Sequence, residues 1–230
     1  DPAFAYEIAI IVQDGIRRMY EEREHLFYYL TLENEPYRQI PKVEGCEEGV
    51  LKGLYKVRPA EALPDRPRVH LFGSGAILNE ALRAQTMLAD EFRVAADVWS
   101  VTSYTELKRD AMATRRQNLR QVDQPPQLSH LEQQMGQDDH PIIAASDYVR
   151  SLPDQLAPWL GDRLTSLGTD GYGRSDTREA LRAFFEVDAA SITFAAVSAL
   201  CARGKLSKQT LRKAADLCGV DPEKADPMTC

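Results

Sequence analysis

From Arg68 to Leu167 the sequence alternates short, almost wholly apolar runs with amphipathic stretches of helical period. Short runs predict strands over Val69–Phe72, Asp97–Val101, Pro141–Ala145 and Arg163–Leu167, of which the last, Arg-Leu-Thr-Ser-Leu, is the most polar. The stretches between them predict helices over Ile77–Asp90, Thr105–Arg120 and Asp147–Leu160, with a shorter helix after Pro125-Pro126. A run with no polar alternation suits a strand covered on both faces, and helical crossovers supply that cover. The fold class is therefore α/β, with a mainly parallel sheet flanked by helices. Three prolines between Lys56 and Arg68 (Pro59, Pro64 and Pro67) forbid a regular helix there and predict an exposed linker over residues 58–67. Before it, residues 3–23 and Glu44–Tyr55 read as helices and Leu26–Leu32 as a strand buried on both faces. After Leu167 the chain turns helical. Asp176-Thr177-Arg178-Glu179 resembles a capping box, Asp188 with Ser191 opens a second helix that Gly204 closes, and Ser207 opens a third ending at Gly219. The tail from Asp221 to Cys230 is expected to fray.

Charge excludes some functions. With 28 Lys+Arg against 35 Asp+Glu, the net charge is -7, and the deficit is spread along the chain. That argues against nucleic acid or an acidic membrane as the main partner. No apolar run in the sequence approaches the ~20 residues of a membrane span. Cys46, Cys201, Cys218 and Cys230 form no CxxC pair, and nothing at the start reads as a signal peptide. A reduced, cytoplasmic setting with inert thiols follows. The first residue is Asp1, which reads as an internal position of a longer gene product.

Two glycine-rich turns follow strands. Gly73-Ser74-Gly75 lacks the third glycine of a dinucleotide fingerprint, because Leu78 stands there, so a tight structural turn is the leading reading. The loop Gly168-Thr169-Asp170-Gly171-Tyr172-Gly173-Arg174-Ser175-Asp176 could bind an anion through Arg174 and the following helix, pack an interface, or only turn a corner. A structural or interfacial role is expected for Gly168, Gly171, Gly173, Arg174 and Asp176, with Gly171 or Gly173 at positive φ. His25, His70, His130 and His140 stand near no nucleophile motif, and His70 reads as a core or edge histidine. Lys108, Arg109, Arg115, Arg116 and Arg120 read as a solvated basic face. Glu33, Glu35, Glu44, Glu47 and Glu48 crowd one loop and helix start, where the helix dipole alone explains them.

Several longer strings belong together. Asp1-Pro2-Ala3-Phe4-Ala5-Tyr6-Glu7, Val12-Gln13-Asp14-Gly15, Phe27-Tyr28-Tyr29, Gly73-Ser74-Gly75-Ala76-Ile77-Leu78, Asp97 to Ser103, Leu167 to Arg178 and Phe185-Glu186-Val187-Asp188 are collinear with the late part of one family. The chain resembles the C-terminal portion of the homodimeric bacterial pyruvate dehydrogenase E1 component. The match weakens over 113–140 and in the tail. The resemblance implies a transketolase C-terminal-like domain over 68–230, preceded by the end of a pyrimidine-binding α/β domain over 1–57. It also implies thiamine diphosphate and Mg2+ as cofactors of the full-length enzyme, a homodimer, and the E2 dihydrolipoyl acetyltransferase as partner.

In that family the diphosphate and magnesium motif, Gly-Asp-Gly followed by an Asn pair, lies in an earlier domain, as do the activating glutamate and most active-site histidines. The resemblance therefore implies that no catalytic residue and no metal ligand lies in this chain, that the chain alone binds no cofactor, and that it is inactive alone. One part of the site is expected to remain. Thr31-Leu32-Glu33-Asn34-Glu35-Pro36-Tyr37 aligns with the family's Thr-Thr-Leu-Asn-Glu-Asn-Tyr, which places Asn34, Glu35 and Tyr37 at the substrate mouth. Leu32, Glu33 and Pro36 depart from it, and Arg115–Gln127 lacks the family's Trp-Asn and His-Pro signals. Those departures leave two alternatives: another transketolase-like enzyme acting on a sugar phosphate or a different 2-oxo acid, or a non-catalytic dimerisation and E2-facing module.

Overall fold

The computed structural model describes residues 1–61, 65–136 and 138–229. Pro64 of the proline-rich break and Cys230 lie outside the described residues. Five strands form one sheet: β1 (Tyr55–Arg58), β2 (Arg68–Gly73), β3 (Ala95–Ser100), β4 (Ile142–Ala145) and β5 (Leu164–Leu167). Their order is β1-β3-β2-β4-β5. β2 pairs in parallel with β3 and β4, and β4 with β5, while β1 runs antiparallel along β3. The sheet is thus mixed, with one antiparallel edge. Every residue of β3 and β4 is buried, as their uninterrupted apolar character requires.

The helices are α1 (Ala5–Ile16), which runs into a π-helical turn at Arg17–Glu21, α2 (Glu47–Lys52), α3 (Leu78–Phe92), α4 (Tyr104–Arg120), α5 (His130–Met135), α6 (Ser151–Asp154), α7 (Ala157–Leu160), α8 (Arg178–Phe184), α9 (Ala189–Ala202) and α10 (Lys208–Leu217). Successive strand side chains point to opposite faces and build two cores. Leu71, Val98 and Ile143 face the layer of α3 and α9, and Phe72, Trp99 and Ala144 face α4, α5 and α7. Polar caps set the helix starts: Ser103, Ser129, Asp188 and Ser207 each accept a backbone N–H from the third residue on.

Several expectations need correction. Leu26–Leu32 is extended but is not a strand, because among the described residues no neighbouring backbone pairs with it. Tyr28 and Leu30 rest on the core, whereas Phe27 is 87% and Tyr29 83% exposed, so the run is covered on one side only. The helix expected over Glu44–Tyr55 ends at Lys52. Gly53 turns at φ 94, and Tyr55 already belongs to β1. Asp147–Leu160 splits into α6 and α7, since Pro153 and Pro158 remove the N–H donors a continuous helix needs. Thr177, not Asp176, caps α8, its Oγ1 accepting from Ala180 N at 3.2 Å.

Two further differences concern the C-terminal third. The stretch Arg178–Ala202 holds an 18-residue window of mean hydropathy 1.5, long and apolar enough by composition to cross a membrane. Within it, Ile192, Ala196, Val197 and Leu200 of α9 are buried in the core shared with α3, which accounts for their apolarity. The described part of the tail is docked rather than frayed: Lys224 donates to Ala183 O at 2.8 Å, and Pro227 lies against Gly171.

Candidate functional site

The strand order reverses at β2. The connection from β2 leads by α3 to one side of the sheet, and β4 leads to the other. In parallel α/β sheets such a reversal opens a crevice beyond the carboxyl ends of the strands. Its floor is Ser74 after β2 and Ser146 after β4, both buried, with the Ser74 hydroxyl donating to Ser146 Oγ at 3.2 Å. Gly73-Ser74-Gly75 is a packed turn. A Cβ at Gly73 would sit 2.6 Å from Leu78 Cα, and the Gly75 N–H already donates to Asp1 O at 3.1 Å.

The loop carrying Asn34, Glu35 and Tyr37 crosses this crevice and is tied to α8 and α3. Arg182 of α8, only 8% exposed, donates to both Glu35 carboxylate oxygens and, at 3.1 Å, to Glu80 of α3. Glu80 also accepts from Ala189 N at 3.1 Å and from Arg83 at 2.6 Å. Arg178, one turn before Arg182, donates to Asn34 Oδ1 at 2.8 Å. Two carboxylates around one buried guanidinium satisfy a charge that would otherwise be costly in the interior. The Tyr37 hydroxyl is not free: it donates to Ala3 O, and the ring stands edge-on to Phe4 with centroids 6.3 Å apart. Burial raises its pKa, with Glu7 adding to the effect.

A second buried carboxylate anchors α1 beside the same edge. Glu7 reaches back to the Phe4 N–H at 2.9 Å and accepts from Ser100 Oγ at 2.7 Å and Tyr55 OH at 2.6 Å. Burial, then the charge of Glu7, raises the Tyr55 hydroxyl pKa, so it stays a donor. Asp147, just beyond β4, is raised to about 6, first by burial and next by the charge of Glu33. Glu7, Glu80, Asp147 and Arg182 are the residues sequence reasoning missed. The signal for Glu80 was its place on α3 beside the buried Ala81 and Ala84, since a charge on an apolar face implies a buried partner.

The other singled-out residues fall elsewhere. Gly168 is packed, a Cβ there lying 2.5 Å from Tyr148 O, and Gly171 has φ 98 against Pro227. Gly173 has neither constraint. Arg174 lies over the Phe184 ring at 4.9 Å, and Asp176 accepts from Thr177 N at 2.7 Å. His70 is buried toward the opposite end of the sheet, where its Nδ1 accepts from Trp99 Nε1 at 3.2 Å and its Nε2 faces Asp138 at 3.0 Å. The acidic group disperses: Glu35 goes to Arg182, Glu47 to Lys42 and Glu48 to Lys52. Cys46, Cys201 and Cys218 are free thiols, and burial raises the pKa of Cys46 and Cys218. Among the described residues no three His, Cys, Asp or Glu side chains converge as metal ligands, and Glu35 and Glu80 are already committed to Arg182. This donor set does not fit a magnesium diphosphate.

Residues 53–188 match the family described as the transketolase-like TK C-terminal domain, and residues 1–40 match the pyruvate dehydrogenase E1 component middle domain. The pyruvate dehydrogenase E1 component of Cupriavidus necator is 41% identical over 229 residues, covering 100% of this chain and 26% of that protein. The Pseudomonas aeruginosa protein of the same description is 41% identical over 231 residues, with 100% and 26% covered. The one from Mycolicibacterium smegmatis is 42% identical over 229 residues, with 98% and 24% covered. This chain thus spans about a quarter of the length of these curated relatives. The whole five-stranded sheet lies inside the matched span 53–188, and the chain belongs to the transketolase-like C-terminal domain family.

Proposed function

We propose that this chain serves a thiamine-diphosphate- and Mg2+-dependent pyruvate dehydrogenase E1 enzyme, which decarboxylates pyruvate and passes the acetyl unit to the lipoyl group of its E2 acyltransferase. The reading includes a homodimer in the cytoplasm, with residues 1–57 ending a pyrimidine-binding domain and residues 68–230 forming the C-terminal one. The observation that carries it is the 41% identity running through both matched regions to relatives of that description. In this reading the chain supplies scaffold and substrate mouth rather than the cofactor's own ligands. Arg182 and Arg178 hold Asn34 and Glu35 over the crevice, and Ala3 holds Tyr37.

The test is made in the full-length enzyme. Tyr37→Phe removes one hydrogen bond and is expected to cost about 0.5–1.5 kcal/mol of stability, together with a larger change in kcat or KM. Arg182→Met leaves two facing carboxylates and is expected to cost roughly 3–5 kcal/mol. Unchanged kinetics with pyruvate in a folded Tyr37→Phe enzyme would remove that residue from the mouth. Full turnover of a sugar phosphate in place of pyruvate would reassign the substrate class.

A further inference from the structure

The second half of α4 leaves the core. Tyr104, Leu107 and Ala111 are its buried residues, and from Met112 to Arg120 none is buried. A helix face without burial should be polar. Instead Met112 is 54% and Leu119 73% exposed, followed by Val122 at 82% and Leu128 at 54%. Single exposed apolar residues need no explanation, but a contiguous patch does. Met112 and Leu119 face Pro158 and Trp159 across a groove of about 660 Å3 between α4 and the α6–α7 segment.

The two walls differ in charge. Lys108, Arg115, Arg116 and Arg120 all line the α4 wall, at spacings that place them on one helix face beside Met112 and Leu119. None of the four forms an ion pair with a described carboxylate, whereas Arg109 on the same helix is paired with Glu106. The opposite wall sets the apolar Pro158 and Trp159 beside Asp154 and the uncharged Gln155, so it carries one carboxylate and no cation. In a chain of net charge -7, this is a local excess of unpaired positive charge beside an apolar floor. An occupant must turn carboxylates toward α4 and apolar side chains toward Pro158 and Trp159. From Lys108 to Arg120 the wall is roughly 18 Å long at 1.5 Å per residue, which is room for about three helical turns.

We propose that this groove docks an acidic amphipathic helix of a partner polypeptide. The mode is an apolar helix face laid into a groove, with charge setting orientation and encounter rate. A nucleic acid or flat anionic membrane fits less well, since the rest of the chain would repel either and the apolar floor lies between two walls. The proposal stands on the groove alone and does not depend on the thiamine enzyme reading.

Trp159 lines the groove while Trp99 is buried in the sheet, so Trp159 emission reports occupancy. The probe is a synthetic amphipathic helix of roughly 14 residues, with Glu on one face and Leu on the other. It is expected to bind with a Kd in the micromolar range and to weaken about tenfold or more when salt shortens the screening length to a few ångströms. The paired variant Arg116→Glu, Arg120→Glu should lose binding with an unchanged melting temperature, because both side chains are exposed. A Lys/Leu peptide of the same pattern should not bind. Equal binding of the two peptides, or binding retained by the paired variant, overturns the proposal. So does self-association of the chain that Leu119→Asp abolishes and the acidic peptide fails to displace, or binding confined to anionic lipid vesicles.

Discussion

At Gly171 the backbone sits at φ 98 with Pro227 against the position a Cβ would take, whereas Gly173 sits in open space at an ordinary angle. Gly171→Ala is therefore expected to cost at least about 1 kcal/mol and to release the tail. Gly173→Ala should stay within about 0.5 kcal/mol of the parent. Thermal melts of both variants check this, and an equal loss for the two would mean that the loop, not its left-handed residue, is what matters. Asp147 offers a pH test. Burial holds its carboxyl near about 6, above the ordinary carboxylate value. The folded state therefore keeps its proton longer than the unfolded chain. The cost of the ionised group is absent below about pH 4, grows between the unfolded and folded values, and is constant above. Asp147→Asn should gain stability relative to the parent across that window and keep the gain at neutral pH. Urea midpoints taken along the pH series measure it, and a difference flat with pH would contradict the raised value.

At the level of elements, β1 shows how tertiary pairing reassigns a segment. Arg58 reads as the first residue of the linker over 58–67, yet Tyr55–Arg58 pairs along β3. The exposed stretch just beyond it includes Glu61. A glutamate-specific protease is expected to cut first after Glu61 and later at Glu47 and Glu48, which lie in α2. Trypsin is the poorer probe, because Arg58 and Arg66 each precede a proline. Mass spectrometry of the first fragments decides it, and early cuts within α3 would place the weak point elsewhere. The same lesson holds in reverse for Leu26–Leu32. Its residues favour a strand, but a strand exists only where a neighbour accepts its hydrogen bonds, and no described segment does so.

For the molecule as a whole, the crevice at the carboxyl ends of β2 and β4 is occupied by this chain's own Glu35, Arg182 and Glu80, whose charges are already paired with one another and so, among the described residues, are not free for a diphosphate or a metal. Calorimetry of the chain with thiamine diphosphate and Mg2+ is expected to show no binding in the micromolar range. A micromolar site would mean that the loop carrying Asn34, Glu35 and Tyr37 opens to admit the cofactor. The alternation of apolar runs and helical stripes was enough to read the α/β class, all four parallel strands, α3, α4 and most helix caps, because burial on two faces and capping are local requirements that residue types alone satisfy. The antiparallel β1 and the docked tail were decided only by contacts with distant residues, whereas the split of α6 from α7 follows locally from Pro153 and Pro158. The site divides the same way. Asn34, Glu35 and Tyr37 were found by resemblance, but the residues that hold them are separated from them by up to 147 positions. Sequence records which charges fall on apolar faces; only the folded packing of α8 on α3 brings Arg182 between Glu35 and Glu80, because desolvation makes each charge in a buried cluster depend on the others.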